Sequence, residues 1–298
     1  MKKTLARALA LATIVTGASI AVPTSAAAST PTYDVPDSIP TQCTARMQTV
    51  DHSGNYGQVF MSEGRISHTV DGGRFPFVPQ SLIPYGSIGA EDSHGFFGGL
   101  QYVLAIAPDG RAHDIIFQHE TDNQGGHWVS LLDDTVIGHG WQTTEDLTLH
   151  REFAYRLTTD GYLVRYTWGG GGLTDKTQVF SGGTSIRTIA HDRRISWNGG
   201  QADVLLTVTT GGKLREYIVP VDDPTAWSAR NLKDSTWGTY SQLSTDPCGT
   251  TGRVIMGRHD NGQVAVWYDR NRNDFSGADI RGNFTDLPAL PSSTKTHQ

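Results

Sequence analysis

Apolar and polar positions along this chain are grouped in short runs that recur at a fixed interval. Each unit is an apolar run, a Gly-containing turn, and a second run that ends in an aromatic residue in all but the first. Five segments fit: Gln58 to Val70, Tyr102 to Phe117, Phe153 to Tyr166, Val204 to Tyr217 and Val254 to Tyr268. Their turn glycines, Gly64, Gly110, Gly161, Gly212 and Gly262, are spaced by 46, 51, 51 and 50 residues. Asp-Gly, Gly-Gly or Asn-Gly between such runs predicts a β-hairpin, in the type I′ form that needs positive φ at both central residues. One hairpin per roughly fifty residues leaves room for two further strands, which is the arithmetic of a propeller blade. The chain therefore reads as all-β, a five-bladed β-propeller of four-stranded antiparallel blades.

An aromatic follows each hairpin after a polar loop: Phe75, Trp128, Phe180, Trp227 and Phe275. Large aromatics at repeat positions are expected to fill the seams between blades. Five blades must close into a ring, or the first and last leave exposed edges. Cys43 precedes the first hairpin and Cys248 the last, so closure brings the two cysteines together. A lone pair in an exported chain predicts a disulfide that fastens the ring.

Export is read from the first residues. Lys2, Lys3 and Arg7 precede an apolar run from Ala8 to Val22, and a small-residue stretch follows to Ala28. That order predicts a signal peptide over 1–28 and a secreted, extracellular protein. Ser29 to Thr41, rich in Pro, Thr and Ser, reads as a tether, 42–290 as the propeller and 291–298 as a flexible tail. Without the leader, 21 basic face 30 acidic side chains, a formal charge of −9. The balance and the absence of a basic run argue against nucleic acid and anionic membranes as partners. No later run is long enough to insert into a membrane, and a monomer is expected.

The segment Trp128 to Trp141, with Ile137-Gly138-His139-Gly140-Trp141, followed by Phe153-Ala-Tyr155 and Asp160-Gly161-Tyr-Leu-Val-Arg-Tyr166, resembles the repeat of the tachylectin-like five-bladed propellers. That resemblance implies a lectin that binds N-acetylated sugars at several equivalent inter-blade sites. The Gly-x-Gly-Trp element occurs in this repeat alone; the corresponding stretches carry Gly86, Gly183, Trp237 and Gly282 in other contexts. The resemblance thus implies one degenerate site, with Trp128, His139, Gly140, Trp141, Trp168 and Trp237 as candidate ligand-binding residues. A Trp face suits the apolar face of a sugar ring, and the flanking glycines allow close backbone approach. The chain is also similar in type to secreted actinobacterial propellers such as the dispase autolysis-inducing protein, which implies an extracellular protein partner or a transglutaminase substrate, with Gln42, Gln48 and Gln298 as acceptors.

A glycoside hydrolase would need a carboxylate pair near the ring axis. Asp51, Glu91, Asp92, Glu145, Asp146, Asp192 and Asp203 are the candidates, and no flanking motif singles one out. The histidine pairs His113 with His119 and His127 with His139 lack a carboxylate at ligand spacing, so no metal and no cofactor is expected. The leading expectation is a non-enzymatic carbohydrate-binding module.

Overall fold

The computed structural model describes residues 31–91, 97–121, 127–169, 172–290 and 295–296; the expected signal peptide lies outside them. Among the described residues, twenty-one strands form five sheets. Blade 1 holds β1 (Thr32–Asp34), β2 (Ala45–Val50), β3 (Asn55–Ser62) and β4 (Arg65–Arg74). Blade 2 holds β5 (Ser81–Glu91), β6 (Phe97–Ile106), β7 (Ala112–Thr121) and β8 (His127–Gly138). Blade 3 holds β9 (Thr144–His150), β10 (Phe153–Thr158), β11 (Leu163–Gly169) and β12 (Gly172–Phe180). Blade 4 holds β13 (Ile186–Trp197), β14 (Gly200–Thr209), β15 (Leu214–Pro220) and β16 (Ser228–Lys233). Blade 5 holds β17 (Tyr240–Cys248), β18 (Gly252–His259), β19 (Val264–Asp269) and β20 (Arg281–Phe284). The strands β2, β5, β9, β13 and β17 lie innermost, around the axis.

The apolar runs are continuous because a blade is buried on both faces. Leu82, Val103 and Ala105 pack toward blade 1, while their neighbours Ile83, Leu104 and Ile106 pack toward blade 3. Side chains alternate across a strand, so two apolar faces require an unbroken apolar run. Similar clusters fill the other seams, with Tyr155 and Leu205 between blades 3 and 4, Trp237 and Tyr240 between 4 and 5, and Met47 and Val254 between 5 and 1. Each fully buried Leu or Ile contributes roughly 1.5–3 kcal/mol.

All five turn glycines have positive φ, between 74° and 85°. The turn type differs from the expectation in four of them. In blade 2, Gly110 N–H donates to Ala107 O and Ala107 N–H to Arg111 O, both at 2.9 Å. This is a three-residue loop closed by a left-handed glycine, and blades 3, 4 and 5 repeat it around Gly161, Gly212 and Gly262. Of these five turns, Glu63–Gly64 alone carries positive φ at two successive residues. The Asp or Asn stays right-handed because the third loop residue lets the glycine alone make the reversal.

Blade 1 corrects the expected tether. The chain passes from β4 to β5 through Phe75 to Gln80, too few residues for a fourth strand. The β4 edge is instead covered by β1, where Thr32, Tyr33 and Asp34 pair with Ser67, Ile66 and Arg65. Ile39 and Val35 then pack in the blade 5–blade 1 seam. Within the expected tail, β21 (Lys295–Thr296) pairs in parallel with Ser81–Leu82 at the inner edge of blade 2. Cys43 and Cys248 form a disulfide across the closing seam, with Cα atoms 5.1 Å apart.

Inner strands are also tied through side chains. Asp146 Oδ2 accepts from Ile189 N–H at 2.8 Å, Thr148 Oγ1 from His191 N–H at 2.8 Å, and Asp246 Oδ2 from Arg46 N–H at 3.0 Å.

Candidate functional site

Repeat geometry decides what Trp141 does. Its N–H donates to Gly110 O at 2.9 Å, latching the loop that leaves blade 2 onto that blade's own hairpin turn. Gly183, Trp237 and Leu290 make the same bond to Gly161, Gly212 and Gly262. Trp141 and Trp237 therefore occupy one repeat position, as expected, but in different seams. Trp141 is 5% exposed, packs on Tyr166 with ring centroids 5.0 Å apart, and is covered by the Arg156 guanidinium at 4.7 Å. Trp237 is 1% exposed, between Tyr240 and Trp267. Neither offers a face to a sugar.

The other candidates are scattered. His139 and Gly140 are exposed on the loop above Trp141. Trp168 is half-buried in the blade 2–blade 3 seam, 4.8 Å from Tyr85. Trp128 lies on β8, 43% exposed, its indole N–H donating to Glu120 Oε2 at 2.7 Å. Of the five aromatics expected in seams, Phe75 and Phe180 are buried there, whereas Trp128 and Trp227 are exposed. Trp128 shares β8, an outer strand, with exposed Leu131, Leu132 and Val136.

The carboxylates nominated for hydrolysis have structural partners. Asp51 accepts from the N–H groups of Ser53 and Asn55, and Asp146 from those of Leu147 and Ile189. The Asp192 side chain is buried; burial opposes its charge, but Arg253, Arg193 and Arg272 hold its pKa down at about 2. Asp203 is also kept ionised against burial, by His191, Arg194 and Tyr155. Glu145 is half-buried, nothing is described of the Glu91 side chain, and Asp92 lies outside the described residues. His113 pairs with Asp134 at 2.5 Å and His119 with Gln101 at 2.9 Å. Among the described residues no group of three or more metal-ligating side chains converges. Of the proposed transglutaminase acceptors, Gln42 is exposed, Gln48 is buried and Gln298 lies outside the described residues.

Among the described residues, the ring departs from its repeat between blades 1 and 2, at a place that the motifs do not mark. Four neighbouring pairs of inner strands pack side by side, whereas β21 lies between β2 and β5 and contacts both. Register in β5 shifts between Pro84 and Gly86, leaving Tyr85 as an extra residue. Such a bulge bends a strand, and Pro84 could not donate a ladder bond there. The result is a cleft of about 440 Å³ between blades 1 and 2. Arg46, Gln48 and Gln58 line it from blade 1; Tyr85, Gln101 and His119 line it from blade 2, with the backbone of Gly86 and Gly89. Gln48 and Gln58 are register partners on β2 and β3.

The polar side chains of the cleft are organised by Tyr56. Its hydroxyl lies 2.6 Å from Gln48 Oε1 and 2.9 Å from Gln101 Oε1, and His119 Nε2 lies 2.9 Å from Gln101 Oε1. One phenol proton serves one carbonyl, so the other glutamine is satisfied by turning its amide to donate to the phenol oxygen. Tyr85 is fixed from outside, its hydroxyl donating to Asp114 Oδ1 at 2.5 Å. Burial and that carboxylate push its pKa well above the ordinary tyrosine range. A second cleft of about 450 Å³ between the same blades is walled by Phe75, Phe77 and Leu131, with the Arg74 guanidinium committed to Ser53 O at 2.9 Å.

Sequence reasoning missed the first cleft because Gln and His carry no motif. The available signal was Pro84 inside a strand.

The family model of the tachylectins matches residues 86–281, more than half of the chain. The chain belongs to the tachylectin family. Blade 1 lies outside the matched residues, so this tachylectin-family propeller draws half of its cleft from sequence beyond the family match. Among solved structures, it is similar to the SapL1 lectin in complex with α-methyl fucoside, at 15% identity and a TM-score of 0.43, over 91% of this chain and 86% of that one. It is similar to a mutant of AofleA from Arthrobotrys oligospora at 12% identity and a TM-score of 0.42, over 87% and 72%. It is similar also to an Aleuria aurantia lectin mutant with α-methyl-L-fucoside, at 11% identity and a TM-score of 0.41, over 84% and 75%. No curated protein matches the chain.

Proposed function

We propose that this chain is an exported carbohydrate-binding protein, acting without catalysis, whose glycan site is the polar cleft between blades 1 and 2. The supporting observation is a concave site in which Gln48, Gln101 and His119 are prearranged around Tyr56. Its volume of about 440 Å³ falls in the range of small-ligand sites, roughly 300–1,000 Å³. Amide and imidazole groups match sugar hydroxyls and acetamides. Membership of the tachylectin family favours a glycan over other small polar ligands, and N-acetylated sugars are the expected class. The charged leader and the disulfide support export into an oxidising compartment.

A glycan array probed with the mature, oxidised protein tests the reading. Binding is expected to weaken about tenfold, about 1.4 kcal/mol, in Gln101→Ala and to persist in His139→Ala. Silence across the array overturns the lectin reading. Loss in His139→Ala with retention in Gln101→Ala moves the site to the loop above Trp141.

A further inference from the structure

We infer that the cleft between blades 1 and 2 selects a sugar bearing both an acetamide and a carboxylate. The inference rests on the glycan reading proposed above and deepens it.

The chain carries 24 basic and 30 acidic side chains, so a wall chosen without bias would more often hold an acid than a base. The described lining of this cleft holds a guanidinium, Arg46, and an imidazole, His119, and no carboxylate. A sugar carboxylate entering it meets donors rather than like charge, which is how sites for anions discriminate.

Arg46 is suited to that role by its mounting. Its backbone N–H is tied to Asp246 Oδ2 at 3.0 Å, and its guanidinium lies 5.7 Å from the centre of the Phe60 ring. Backbone and stem are thus positioned before a ligand arrives. A guanidinium has five N–H donors, so bonds it makes within the seam leave capacity for a ligand. Its planar fork fits a carboxylate in two parallel bonds.

The acetamide is matched by the glutamines. Gln48, Gln58 and Gln101 each bring a carbonyl acceptor and an amide donor, the complement of an acetamide's own pair. Two of the three are held by Tyr56, so their orientation costs little when a ligand binds. A neutral N-acetylated sugar would satisfy the amides and leave the guanidinium unused.

The test is titration calorimetry with three free sugars: N-acetylmuramic acid, N-acetylneuraminic acid as its α-methyl glycoside, and N-acetylglucosamine. The full mature, oxidised protein is expected to bind at least one acid about ten times more tightly than N-acetylglucosamine. The preference should fall as salt is raised, because exposed charge attraction is screened. Whichever acid binds more tightly identifies the source, a wall-type lactyl ether or a cell-surface nonulosonic acid. Arg46→Gln should remove the preference for the acid over N-acetylglucosamine, and Arg46→Lys should restore part of it. If Arg46→Gln fails to fold, the salt dependence of the wild-type preference decides. Equal affinity for the neutral sugar and both acids overturns this inference while the lectin reading stands. No binding to any of the three, together with a silent array, overturns both.

Discussion

His150 and Asp269 shape the acid response of this protein in opposite directions. The His150 ring is stacked on His191, with centroids 4.0 Å apart and planes 2° from parallel. Burial, then the neighbouring His191, push His150 down to about 4, with Arg194 and Arg151 adding to the effect and Asp203 opposing it. Between that value and its ordinary 6.5, the unfolded chain binds a proton that the folded chain refuses, so stability falls as pH falls. Burial raises Asp269 to about 6, above its ordinary 3.8, although Arg253 lies 2.7 Å away. There the folded chain holds the extra proton, and stability rises as pH falls. The two contributions offset one another in the wild type. In His150→Phe, stability relative to wild type should therefore rise steadily from pH 6.5 to 4, read by urea denaturation at each pH. A constant difference between the two proteins would show that His150 is not held neutral by its surroundings.

The hairpin and the loop that crosses it are the repeating element, and the crossing explains the glycine better than the turn does. A Cβ on Gly110 would meet Gln142 N at 2.6 Å, and one on Gly161 would meet Thr184 N at 2.4 Å. Positive φ and close approach thus both select glycine at this position. The repeat was legible because those glycines recur. The role of Trp141 was not, since the same Gly-x-Gly-Trp string suits an exposed sugar platform and a buried latch. Neighbouring Arg156 and Tyr166, from the next blade, decide in favour of the latch. Trp141→Ala should accordingly cost about 3–5 kcal/mol in denaturant unfolding, the usual range for a large buried aromatic. Sugar affinity measured on the remaining folded protein should be unchanged. A variant as stable as wild type that loses sugar binding would return Trp141 to the binding site.

Across the whole molecule, the five seams are held by different means. Arg253 joins blade 5 to blade 4 through Asp192 at 2.9 Å and Glu216 at 2.8 Å, all three side chains fully buried. Arg194 and Tyr155 both hold Asp203 between blades 3 and 4. Tyr85, Trp141 and Trp168 fill the next seam with rings. The closing seam has the disulfide, which joins residues 205 apart in sequence. Replacing both cysteines by serine should lower unfolding free energy by about 2–5 kcal/mol. An unchanged urea midpoint would mean that apolar packing around Met47 and Val254 closes the ring unaided. Blades 1 and 2 pack apolar side chains around Phe117, β21 lies between their inner strands, and the polar cleft is lined by the same two blades.

The chain's own pattern determined the number of blades, the hairpins and the pairing of its two cysteines. These follow from period, turn chemistry and the count of thiols, all of which are local or arithmetic. Tertiary structure alone decided that Thr32–Asp34 completes blade 1, because a short connection elsewhere left an edge uncovered. It also decided that Trp141 is covered, and that Arg46, Gln48, Gln101 and His119 share a cleft. Residues 46 and 119 meet only because two separate sheets lie side by side, and the width of the space between sheets is set by their packing, which no local pattern encodes.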